Sequence, residues 1–242
     1  MILCCGEALV DMLPQKLPSG KGCFVPKVGG ALFNTSLALG RLSVDVALLT
    51  GISNDFFGKI LYEELKNSGV RTEYLVSSNY PTSLAFVEFS HQKTNYSFYT
   101  NDAAHTMLTR SNLIGCESKF EALLFGGISL CLDPTGSTML YLMNQHSEKS
   151  ITILDPNIRS SFISDEVFFR NRLSEMIALC DILKLSDEDL NWLVPKEDNL
   201  EFQIKKILGD QKKLVVITKG EKGASAFYGE AFICEVPSIR VK

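Results

Sequence analysis

The stretch GGALFNTSLALGRL, Gly29–Leu42, sets two glycines at the mouth of an apolar run with helical spacing. Asn34, Thr35 and Ser36 interrupt that run just after it begins. Paired glycines at this point mean a backbone that needs an unusual φ, a close approach that leaves no room for a side chain, or both. Upstream, MILCC (1–5) is a short apolar run ended by Gly6, which predicts a buried strand, and residues 21–28 look extended. Downstream, VDVALLTGI (44–52) predicts a second buried strand. DFFGKILYEELKNSGV (55–70) has helical spacing through Phe57, Ile60, Leu61 and Leu65, with Gly69 as its stop.

From Thr72 to Thr100 the texture changes. SLAFVEFS (83–90) and TNYSFYT (94–100) alternate with period two around a turn-like HQKT (91–94). That pattern predicts a half-exposed antiparallel hairpin standing off the main body. The strand–helix rhythm then returns. FEALLFGGI (120–128), SITILDPN (150–157) and DILKLS (181–186) are strands, separated by helices over 135–147 and 165–180. Helical stretches over 187–194 and 199–208 precede the strand KLVVITKG (213–220), and GASAFY with AFICEV makes a final hairpin. Alternating strands and helices argue for a three-layer α/β/α fold around a mainly parallel sheet.

Composition narrows the function classes. A net charge of -4 over 242 residues gives no electrostatic reason to expect nucleic acid or an anionic membrane as partner. No apolar run reaches the roughly 18 residues of a spanning helix, and the start lacks the basic region of a secretory signal. The seven cysteines include no C-x-x-C pair, which suits reduced thiols in the cytoplasm.

In an open parallel sheet, ligands sit beyond the carboxyl ends of the strands. Four places there carry polar chemistry: Glu7 and Asp11, Asp155-Pro-Asn-Ile-Arg159, Lys184 to Asp189, and Thr218-Lys219-Gly220 with Gly223. Asp11 is either an edge carboxylate in water or an acceptor for vicinal hydroxyls. Asn34 is either a helix cap or a donor–acceptor for a polyol. Neither a Walker loop nor G-x-G-x-x-G occurs. Ser186 looks like a helix N-cap with Asp187, Glu188 and Asp189 in the first turn, which explains those acids without a metal. VVITKGEKGA (215–224) is either a turn or glycine backbone beside a nucleotide.

Together and in this order, these segments resemble the PfkB/ribokinase family of sugar kinases over the whole of residues 1–242. GEALVDMLP (6–14), PTSLAFV (81–87), LDPNIR (154–159) and KLSDEDL (184–190) are most similar to bacterial fructokinases, with 2-keto-3-deoxygluconate kinases next. The resemblance implies a ribokinase-like fold and a small β lid from about 12–28 and 72–100, which often pairs with a second subunit. It implies that Asp11, Gly30, Asn34 and Arg159 hold the sugar and that this sugar is what approaches Gly29 and Gly30. It puts Lys184, Ser186, Thr218, Gly220 and Gly223 along ATP, and Asp189 on Mg2+. The implied activity is ATP-dependent phosphorylation of a small sugar, with fructose first and a 2-keto-3-deoxygluconate or riboside substrate as the alternative. Ser186 and Asp189 stand where the family often has Asn and Glu. The family's Gly-Ala-Gly-Asp segment, source of the general base and of backbone donors to the transferring phosphate, has no counterpart. CEVPSIRVK (234–242) resembles the strand before it. The expectation is therefore a C-terminally incomplete domain with the base beyond Lys242, inactive as it stands or a non-catalytic sugar-binding protein.

Overall fold

The structure is a computed structural model that describes residues 1–89, 94–118, 120–197 and 199–239. The chain opens with β1 (Ile2–Cys5), β2 (Leu9–Lys16), β3 (Gly22–Gly29), α1 (Ala31–Arg41), β4 (Val46–Ser53) and α2 (Phe56–Asn67). Next come β5 (Leu75–Ser78), β6 (Ser83–Phe89), β7 (Thr94–Tyr99), β8 (Ala122–Gly126), α3 (Thr135–His146) and β9 (Ile151–Asp155). The last elements are α4 (Glu166–Leu179), β10 (Ile182–Ser186), α5 (Asp187–Leu193), α6 (Leu200–Leu208), β11 (Leu214–Thr218), β12 (Ala224–Tyr228) and β13 (Ala231–Val236).

Among the described residues, nine strands form one sheet in the order β13-β12-β11-β10-β9-β8-β1-β4-β5. The pairs from β11 across to β5 are parallel, and β12 and β13 close one edge antiparallel. All eight residues of β4 are buried, as a continuous Val/Leu/Ile run requires when helices cover both faces. Cys4 packs with Val46, Leu48 and the α1 residues Leu32, Phe33 and Leu37. Cys5 packs on the other face with Leu49 and with Met139 and Leu142 of α3. Adjacent residues of one strand thus feed two separate cores, which is the three-layer arrangement the sequence implies. Burying each large side chain of α1 is worth about 1.5–3 kcal/mol, so the apolar face, not its central Thr and Ser, decides that this segment is a helix.

Strand order reverses at β1. The chain first runs outward through β4 and β5, then returns to the other flank of β1 as β8 and continues through β9 to β11. A crevice at the carboxyl ends of β1 and β8 follows from that topology.

A second sheet of order β3-β2-β6-β7 stands over this crevice. It differs in two ways from the expected lid. Leu75–Ser78 belongs to the main sheet, where it pairs in parallel with β4, because it completes the crossover that α2 begins. Alternation starts only at Ser83. At the other end the sheet takes in residues 9–29, and β6 pairs in parallel with β2 as well as antiparallel with β7. The expected turn over 91–94 falls largely on residues 90–93, which, like Arg240, Val241 and Lys242, lie outside the described residues. One face of this sheet, through Leu9, Ala85 and Phe98, packs onto Ile128 and Phe162 of the main body. The Phe98 and Phe162 rings meet edge to face at 4.5 Å.

Candidate active site

At the reversal point a cavity of about 350 Å³ opens between the two sheets. That is within the usual size range for small-molecule sites. Glu7, Gly30 and Ala31 line it from below, Asn157 and Arg159 from the loop after β9, and Asp11, Tyr96 and Phe98 from the second sheet. A larger groove of about 690 Å³ lies between α3 and α4. Its buried arginine, Arg172, is already committed to Asp133 and to the Leu130 carbonyl. The smaller cavity is the one that lies at the strand reversal, and it gathers Glu7, Asp11, Asn157 and Arg159.

The Asp11 carboxyl is half-buried and pushed above the usual carboxylate range by desolvation, with no offsetting hydrogen bond among the described residues. A partly dehydrated carboxylate lining a cavity is a ready acceptor for ligand hydroxyls.

The two glycines that open α1 are explained by the protein itself. Gly30 has φ 112°, a conformation natural only to glycine, and a Cβ there would sit 2.5 Å from the Glu7 carbonyl oxygen. A Cβ on Gly29 would collide with the Asp11 Oδ2. The protein atoms crowding the two glycines are thus Glu7 and Asp11. Gly30 still lines the cavity with its backbone.

Glu7 is 2 % exposed. No side chain caps α1 at Gly30; instead Glu7 Oε1 accepts the Ala31 N–H at 2.7 Å. An acid at a helix N-terminus satisfies an orphan donor and suits the dipole. Burial pushes the Glu7 carboxyl above its usual range, against the pull of the Ala31 N–H. The carboxylate also occupies the space a side chain at Gly127, just after β8, would need.

Of the remaining expected sugar residues, Arg159 reaches the cavity, exposed, and donates to its neighbour's carbonyl, Ile158 O, at 3.1 Å. Asn34 does not reach it. It lies one turn along α1 and is exposed, and its N–H donates to the Gly30 carbonyl at 2.9 Å.

The residues expected along the nucleotide gather at the ends of β10 and β11. Ser186 and Thr218 are register partners, and Thr218 Oγ1 donates to the Leu185 carbonyl at 3.3 Å. Lys184 Nζ lies 3.0 Å from Asp155 Oδ2 at the start of the loop after β9. Burial raises the Asp155 carboxyl against the pull of Lys184. Gly220 has φ +54° with open space where a Cβ would stand. Gly223, at φ +87°, is packed against the Val236 carbonyl, so the last hairpin alone accounts for it.

Asp189, expected on Mg2+, is turned toward protein donors in this structure. It is 2 % exposed. Its Oδ2 accepts from the Ser186 N–H at 2.9 Å and from Ser186 Oγ at 2.8 Å, and its Oδ1 accepts the Ile158 N–H at 2.7 Å. Ser186 in turn accepts the Asp189 N–H, which completes a capping box. Both oxygens face protein donors. Among the described residues no three His, Cys, Asp or Glu side chains come together to hold a metal ion. These residues do not supply a protein shell for Mg2+.

Sequence reasoning gave no role to Glu7, Asn157, Tyr96 or Phe98, which all line the cavity. Glu7 was visible as an acid directly after the first strand, and Asn157 as the amide inside LDPNIR. Tyr96 and Phe98 stood in the alternating segment, but only pairing in the second sheet shows which of its residues face the cavity.

Comparison with known proteins agrees with this geometry. The model of the pfkB family carbohydrate kinases matches residues 1–242. A fructokinase of Rhizobium leguminosarum bv. trifolii is 42% identical over 241 residues, covering 100% of this chain and 73% of its own length. The fructokinase of Xylella fastidiosa superposes with a TM-score of 0.89 at 27% identity, over 100% of this chain and 76% of that one. Its ATP-bound form gives 0.86 at 26% identity, over 98% and 77%. The fructokinase of Vibrio cholerae O395 in its fructose, ADP and calcium ion bound form gives 0.85 at 25% identity, over 100% and 77%. With the crevice at the strand reversal, the Asp11 carboxylate on the covering sheet and a family match along its whole length, this chain belongs to the pfkB family of carbohydrate kinases.

Proposed function

We propose that the protein serves the phosphorylation of fructose at its terminal hydroxyl with ATP as donor, supplying the sugar side and part of the nucleotide side, with no general base among the described residues. The observation that carries this reading is Asp11, a half-buried carboxylate lining one cavity with Gly30, Asn157 and Arg159. The 42% identity to a fructokinase and the fructose and ADP in the Vibrio cholerae structure support the choice of sugar and donor. On this reading Asp11 accepts two sugar hydroxyls and Gly30 presents backbone. The second sheet acts as a lid, with Tyr96 and Phe98 excluding water that would compete as acceptor. Lys184, Ser186, Thr218 and Gly220 take the nucleotide side, where positioning and charge do most of the work of phosphoryl transfer. Mg2+ travels with the nucleotide on this reading, and no step is assigned to it.

A 2-keto-3-deoxygluconate substrate is favoured by one observation, the exposed Arg159 guanidinium at the cavity, which could pair with a sugar acid. Calorimetric titration of fructose, 2-keto-3-deoxygluconate and a riboside, followed by ADP release with each, separates the readings. Preferential fructose binding supports the proposal and preferential binding of the sugar acid overturns it. Sugar binding without ADP release marks a sugar-binding protein.

The outer face of the lid carries an aromatic row. Phe86 meets Phe24 at 5.0 Å and Tyr99 at 5.5 Å, all edge to face, with Phe24 49% and Tyr99 66% exposed. Exposed apolar patches of this kind mark contact surfaces, and a homodimer through the lid is part of the proposal; sedimentation velocity tests it. The seven cysteines are free thiols, which fits a cytoplasmic location. Among the described residues no helix is long and apolar enough to cross a membrane.

A further inference from the structure

The backbone ladder between β9 and β10 is short. It pairs Ile182 with Ile153 and Leu183 with Leu154. β10 continues to Ser186 along β11 instead. Past Leu154 the chain swings away as the loop Asp155–Arg159, which delivers Asn157 and Arg159 to the cavity. Side chains from the β10–α5 junction replace the missing ladder. Lys184 holds Asp155 at 3.0 Å. Asp189 holds the Ile158 N–H at 2.7 Å, thirty-one residues away in sequence and inside the core. The residue between these anchors, Asn157, has φ 45°, a left-handed conformation that costs a non-glycine residue energy unless its neighbours fix it.

We propose that Asp189 is a positioning residue for the sugar, tying the Ser186 end of β10 to the loop that presents Asn157 and Arg159. It acts through the Ile158 backbone and touches neither substrate. The consequence is a built-in link between the two halves of the site, since the same carboxylate caps α5 through Ser186 on the nucleotide side. The assignment of the cavity to fructose is taken from the preceding section; the tether itself does not depend on it.

Hydrogen exchange of the Ile158 amide in EDTA, without sugar or nucleotide, tests the tether directly. Asp189→Ala should speed that exchange at least tenfold. Asp189→Asn retains one acceptor and should fall between Asp189→Ala and wild type. Ser186→Ala, which leaves the Asp189–Ile158 bond in place, should stay close to wild type. In the same metal-free buffer, Asp189→Ala should raise the fructose dissociation constant about tenfold. Wild-type exchange at Ile158 in a folded Asp189→Ala protein overturns the proposal. So does unchanged fructose binding with a loss confined to Mg2+–nucleotide binding, which would put Asp189 on the metal side. If Asp189→Ala does not fold, Asp189→Asn decides by the same two measurements. If wild type binds no fructose, the substrate reading fails, and the exchange rates alone decide the tether.

Discussion

Asp11 on β2 and Gly29 on β3 are not register partners, since Asp11 pairs with Lys27 and Leu9 with Gly29, yet Asp11 Oδ2 stands where a Gly29 side chain would be. The absence of a side chain at one residue thus sets the direction of a carboxylate at another. A methyl group at 29 must move Asp11, and the tip of a flexible side chain moves cheaply. Gly29→Ala should therefore weaken fructose binding several-fold while shifting Tm by only a few degrees. A Tm loss without any change in sugar binding would refute the link.

Asp11→Ala removes the carboxylate itself. A hydrogen bond to a charged group contributes about 1.5–3 kcal/mol, so the fructose dissociation constant should rise at least tenfold. Because desolvation works against Asp11 in the free protein, thermal stability should stay level or improve. Unchanged sugar affinity by calorimetry would remove Asp11 from the site.

Glu7 gives a pH signature. Its carboxyl is raised by burial in the folded protein, so the folded chain keeps a proton that the unfolded chain releases above about pH 4.3. Stability tied to Glu7 is complete below that range and declines as pH rises through the raised pKa. Glu7→Gln cannot ionise, yet its amide oxygen can still accept the Ala31 N–H. Its Tm relative to wild type should improve as pH rises above about 4.3, the unfolded value, toward the raised folded pKa. A difference in Tm that does not move with pH would show that Glu7 titrates normally.

Gly220 and Gly223 should separate cleanly. Both have positive φ, but only Gly223 is crowded, by the Val236 carbonyl. Gly220→Ala should cost about 1–2 kcal/mol of backbone strain, and Gly223→Ala more, because the β12–β13 pairing must also shift. Chemical denaturation of the two variants measures the gap, and equal losses would contradict the packing argument.

How much of this was legible in the sequence depends on how local the cause is. The runs MILCC and VDVALLTGI named their strands because burial on both faces demands unbroken apolar residues. Adjacent Cys4 and Cys5 implied two opposite cores because a strand's side chains alternate. Ser186 was readable as an N-cap because capping involves residues three apart. LVSS (75–78) was misplaced in the lid because four residues are too few to show a period, and its partner strand β4 lies across a helix.

The site divides along the same line. Its polar residues could be picked out after strand ends, since a parallel sheet puts ligands there whatever its sequence. Their partners could not. Asp189 and Ile158 are thirty-one residues apart, Glu7 and Ala31 twenty-four. Periodicity carries no information over such separations. The sequence by itself determined the layers, the family and the set of candidate side chains, because these follow from local pattern and from motif order. Tertiary structure alone decided that Asn34 lies outside the cavity lining, that Asp189 is spent on the Ile158 backbone and that Glu7 caps α1, because each depends on which strand ends the sheet order brings side by side.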